Sequence, residues 1–143
     1  MARLEELENI ENDIEHKEQE VEESDNKLQE VNERLREISD AIGKLSEDQE
    51  VASSIEKNQE QAENEKQEVE QERNQLASEL DDMESQLSGI ENANEQSNEI
   101  ISELAGIGED VGDANAIIER RREMIESSKS KLQELRNKLR QQG

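Results

Sequence analysis

The chain has 143 residues, with 40 Asp or Glu against 17 Lys or Arg, for a net charge of -23. It contains no Phe, Tyr, Trp, Cys or Pro, which excludes disulfides, thiolate metal sites, thiol catalysis, aromatic cages and base-stacking platforms. The length suits one ordinary domain. Leu, Ile and Val number only 29, about 20% of the chain, which borders on the composition of disordered proteins. Ala, Glu, Lys, Leu and Arg supply 70 residues, close to the half typical of long helices and coiled coils.

Hydrophobic periodicity decides between these readings. Leu7, Ile14, Val21, Leu28, Leu35 and Ile42 recur every seven residues without a miss. Disordered polar sequence does not hold such a phase, whereas helices packing along a narrow seam require it. The companion positions, three residues on, read Ile10, Lys17, Ser24, Val31, Ile38 and Leu45. The first predicted helix is therefore apolar at both ends of its seam and polar in the middle.

The same period resumes at Ile55, Ala62, Val69, Leu76, Met83 and Ile90, thirteen residues after Ile42. That step is one short of two heptads and rotates the stripe by roughly 100°. A coiled coil absorbs insertions of three or four residues more readily than a slip of one. A turn is therefore predicted near 43–49. Gly43 suits the end of one helix, and Ser46 with Gln49 reads as a capping box for the next, starting near Glu47. The second companion series is Gln59, Lys66, Arg73, Leu80 and Leu87. Folding at about residue 48 brings Ser24 near Arg73 and Lys17 near Leu80, so the two polar stretches overlap. A long parallel dimer, with 43–49 as a distorted joint, is the competing arrangement.

Residues 88–98 are poor in helix formers and suggest an end or a kink. The segment 106–112 contains Gly106, Gly108 and Gly112, and each interior Gly costs a helix about 1 kcal/mol. A loop is expected there, with Asp110 or Asp113 capping a last helix over 113–143. Against this, the lattice continues through Leu104, Val111, Ile118, Ile125, Leu132 and Leu139, as unbroken helix would require, but the glycines favour the loop. The fold expected is all-α: an acidic antiparallel coiled-coil hairpin over 1–105, a Gly-rich loop, and a basic third helix packing back on it. Residues 1–112 carry a net charge of -26 and residues 113–143 carry +3, so the last helix should dock on acidic surface.

No constellation of residues names a reaction. His16 is alone among charged residues and reads as an exposed bystander. The run Glu18, Glu20, Glu22, Glu23 lacks the spacing of a calcium loop and reads as a solvated helix face. The segment Gly108–Asp113 lacks the strand and lysine of a phosphate-binding loop. Arg120, Arg121 and Arg122 form the only basic cluster. Nucleic acid would be repelled by the rest of so acidic a rod, so electrostatic docking on the hairpin or on a partner is expected of them. No catalytic, cofactor or metal site is predicted, and no small-molecule substrate.

No run is long and apolar enough for a membrane span, and the opening MARLEELENIEND lacks the apolar stretch of a secretory leader. The default expectation is a cytoplasmic protein, with non-classical secretion as the other route. The seam residues Leu7, Ile14, Val21, Leu28, Leu35, Ile42, Ile55, Val69, Leu76, Met83, Ile118, Ile125, Leu132 and Leu139 are expected to serve packing or partner binding. Ile100, Ile101 and Ile117 fall outside a two-helix seam and suggest further helix packing. Two functions fit. One is an adaptor or chaperone-like protein that binds another protein's helices. The other is a self-assembling structural or scaffolding rod. In size and helicity the chain resembles the small helical-hairpin companions of toxins exported by bacterial type VII secretion systems. It lacks the Trp-Xaa-Gly turn of the main hairpins secreted by those systems.

Overall fold

A computed structural model describes residues 3–142. Three helices account for nearly all of them: α1 (Arg3–Lys44), α2 (Gln49–Gly106) and α3 (Gly112–Gln142). At 58 residues, α2 is on the order of 87 Å long and forms the spine. Ion pairs join Lys17 to Glu79, Asp25 to Arg73, Lys27 to Glu72 and Arg34 to Glu65. One number rises as the other falls, so α1 and α2 run antiparallel. Pairs Glu8–Arg120 and Glu18–Lys131 rise together, so α3 lies parallel to α1.

Apolar packing divides this rod into sections. In the central section Leu7, Ile14 and Val21 of α1 meet Leu76, Leu80, Met83, Leu87 and Ile90 of α2 and Ile125, Leu132 and Leu139 of α3. A second, smaller cluster holds Leu28 and Val31 against Ala62 and Val69, with Leu35 and Ile38 at its edge. Only α1 and α2 contribute to it. Leu35, Ile42 and Ile55 are therefore half-buried, unlike Leu7, Ile14, Val21 and Leu28. At the opposite end α2 and α3 continue together, linked by Asn94, whose side-chain amide donates to the Ile118 carbonyl at 3.2 Å.

The first turn covers residues 45–48. Asp48, not Ser46, caps α2, its carboxylate accepting from the Val51 amide at 3.3 Å. Gln49 donates its side-chain amide to the Ser46 carbonyl instead of closing a capping box. A carboxylate at this position also faces the positive end of the helix dipole, which a serine hydroxyl cannot match. Ser88 and Gly89 lie inside α2, not at its end, because Leu87 and Ile90 on either side are buried in the central core. Packing outweighs the weak local propensity there.

The second turn covers residues 107–111, and Gly108 has φ = +91°, a left-handed conformation open to glycine at little cost. Asp110 accepts from the Gly112 amide at 3.1 Å and so satisfies an otherwise unpaired donor at the start of α3. The glycines make opposite predictions. A Cβ on Gly89 would meet nothing within 4 Å, so Gly89→Ala should stabilise the protein by about 1 kcal/mol. Gly108→Ala should destabilise it by about 1 kcal/mol through backbone strain. Urea denaturation of the two variants measures both.

Candidate interaction surface

Arg73 is buried, at 5% exposure, and touches all three helices. Its Nη1 donates to Ser24 Oγ at 2.9 Å and to Asp25 Oδ1 at 2.5 Å. Its Nη2 donates to the carbonyls of Leu139 at 2.9 Å and Lys138 at 3.3 Å. Ser24 in turn donates its hydroxyl to the Val21 carbonyl at 2.9 Å. The expected meeting of Ser24 with Arg73 is thus present. The capping of α3 by the same guanidinium was not visible in the sequence. The carbonyl end of a helix carries partial negative charge, so a guanidinium suits it.

About two turns away Lys17 bonds Glu79, the neighbour of Leu80, and Glu20 at 3.3 Å. Burial lowers the Lys17 pKa, but the hydrogen bonds and charges of Glu79 and Glu20 outweigh it and leave the pKa raised. A raised value in the folded state favours folding below the unfolded lysine pKa. That contribution is lost as pH climbs through the folded value.

The cations of α3 face the acidic surfaces of α1 and α2. Arg136 pairs with Asp81 at 2.6 Å and with Glu84, Lys129 with Glu91 at 2.9 Å, and Lys131 with Glu18 at 3.8 Å. Of the arginine cluster, Arg120 lies 3.9 Å from Glu8. Arg122 bonds Glu95 at 3.1 Å and Glu119 at 2.5 Å. The Glu95 hydrogen bond is the main reason its pKa is raised, against a smaller lowering by burial. The Nε of Arg121 is buried without a partner. Such exposed pairs contribute little individually. Arg136, more enclosed than Arg120 or Arg122, is the stronger tether, and nothing in its sequence context marks it out from Lys131 or Lys138.

Two outcomes define which apolar residues stay exposed. First, most of the predicted seam is covered within the chain: Val69, Leu76, Met83, Ile118, Ile125, Leu132 and Leu139 are all buried. Second, the lattice fails near the α2–α3 turn. Leu104 is 41% exposed, Ile100 59%, Ile107 76% and Ile117 43%, while Ile101 and Val111 are half-buried. Among the described residues no three His, Cys, Asp or Glu are grouped to hold a metal ion, and no helix is long and apolar enough to cross a membrane. A groove of about 560 Å³ lies where α3 ends, between Leu28, Arg73, Leu139 and Arg140. No protein-family model matches the chain, and no curated protein or solved structure matches it either.

Arg73→Ala should cost about 3 kcal/mol, because it leaves the partly buried Asp25 without its cation and removes the tie from α2 to the last turn of α3. Arg73→Lys, keeping the charge without the fork, should lose less. Urea denaturation gives the totals, and amide exchange should show the greatest loss of protection at residues 132–140. Lys17→Met should flatten the fall of stability at alkaline pH, measured by urea midpoints across the lysine titration range.

Proposed function

We propose that this chain is a non-catalytic helical interaction protein, an adaptor or chaperone-like partner that engages a helix of another protein. The observation that carries the reading is the exposed apolar stripe Ile100, Leu104 and Ile107 at one end of the rod. The rest of the chain's long seam is largely filled by its own helices. Contiguous exposed aliphatic residues beside a satisfied core are the usual mark of an interaction surface. The net charge of -23 supports solubility of such a surface and opposes self-association.

The companions of type VII toxins remain a suggestion of class. The turn at 45–48 reads Leu-Ser-Glu-Asp, not Trp-Xaa-Gly, and the third helix goes beyond a simple hairpin. The self-assembling rod is the other reading to be tested. Tagged protein recovered from its source cells at moderate salt should retain one foreign protein at near-equal stoichiometry by mass spectrometry, and the purified chain should sediment as a monomer. Recovery of only its own copies, with concentration-dependent sedimentation, would replace the adaptor with the rod.

A further inference from the structure

We infer that the tip of the α2–α3 arm is a docking site for a basic amphipathic helix of another protein, an inference that rests on the adaptor reading. Ile100 and Leu104, four residues apart, share one face of the last turns of α2, and Ile107 follows at its C-cap, the first residue of the turn. The Ile100–Leu104 pair has the i, i+4 anchor spacing found where helix packs on helix, and the exposed Ile107 extends the apolar surface past the helix end. The Glu95–Arg122 pair sets the register of the arm. Five residues on from Glu95, Ile100 is level with Ile117, five residues before Arg122. A fourth exposed aliphatic therefore stands at the same height on α3.

Charge selects the occupant. Between residues 96 and 117 the chain has five carboxylates, Glu99, Glu103, Glu109, Asp110 and Asp113, and no Lys or Arg. None of the five is joined to a cation among the described residues. Elsewhere on α2 the acids at 65, 72, 79, 81, 84, 91 and 95 have cationic partners on α1 or α3, while those at 50, 56, 60, 63, 68, 70 and 82 have none among the described residues, so what sets the tip apart is its complete lack of Lys and Arg. Glu103, three residues from Ile100, borders the stripe and is fully available. A helix with an apolar face flanked by Lys or Arg would cover the stripe and neutralise its rim, as complementary interfaces do. A second copy placed tip to tip would oppose ten carboxylates with no cation between them. An anionic membrane or nucleic acid would be repelled in the same way.

The test uses the full chain and two synthetic helical peptides of roughly 18 residues with the same Leu face. One carries Lys on its flanks and the other Glu. Dye-labelled peptide is titrated with protein, and binding is read by anisotropy at about 0.15 M salt, where weak surface attraction is screened. The Lys peptide should bind and the Glu peptide should not. The triple variant Ile100→Ser, Leu104→Ser, Ile107→Ser keeps every charge and should weaken binding by about tenfold or more, the loss expected of central apolar anchors. In the wild-type chain, methyl NMR should show shifts at Ile100, Ile107 and Ile117 on adding the Lys peptide, and none at Ile14. That reading is independent of how the variant folds. Unchanged binding by the variant, equal binding of the Glu peptide, or shifts spread along the whole rod would overturn the assignment. So would dimerisation of the chain alone that the triple variant abolishes. A foreign partner still retained by the triple variant would remove the tip as the site and leave the adaptor reading standing.

Discussion

A buried guanidinium organises this molecule. Taking an arginine out of water is costly unless its donors are met, and Arg73 meets them with two oxygens from α1 and two from the end of α3. That arrangement exists only when both helices stand at one height along α2. A seven-residue apolar repeat alone permits slips of a heptad with little change in buried area. A buried polar group with fixed partners penalises such slips, as polar seam residues do in coiled coils. Arg73 also lies between the two apolar clusters. The place where the core is interrupted is the place where the third helix ends.

Much of this is written in the periodicity. The phase slip between Ile42 and Ile55 marks the first turn because a one-residue shift cannot be wound away. Lys17, Ser24 and Arg73 stand out, with Gln59 and Lys66, because they interrupt the apolar seam, and the turn position brings Ser24 to Arg73. Other features left no such trace. The role of Arg73 at α3 depends on where a helix 65 residues away ends. Arg136 differs from its basic neighbours only in the height at which it meets Asp81 and Glu84. Leu104 keeps the heptad phase yet lies exposed, because periodicity records which face a residue is on and not whether anything covers it. Asn94 in the seam position next to Ile90 is a buried polar group whose partner, a backbone carbonyl, has no sequence signature.

Charge follows the same division. The acidic surface of the α1–α2 pair meets most of the cations of α3, so the basic charge of α3 is largely matched within the chain. Where α3 runs out, the α1–α2 arm has only two helices, and its seam residues lose cover gradually from Leu28 to Ile42. At the other end the apolar residues lose cover abruptly and the carboxylates lose their cations. The two ends differ in kind. One is a thin, mainly polar hairpin whose acids are interspersed with Lys and Arg, and the other combines exposed aliphatic side chains with carboxylates and no Lys or Arg. The proposed partner follows from that difference and not from any likeness to a known protein.

The absence of cysteine makes one measurement direct. Spin labels on Asn32→Cys and Gln141→Cys would sit on exposed positions on either side of the place where α3 meets the α1–α2 pair. Electron–electron distance measurement should give one narrow distribution centred at roughly 20 Å, the separation of neighbouring helices plus two label arms. The same pair in an Arg73→Ala background should give a broad distribution extending to longer distances. A broad distribution in the unaltered chain, or a narrow one unaffected by loss of Arg73, would contradict the claim that this guanidinium sets the position of the third helix.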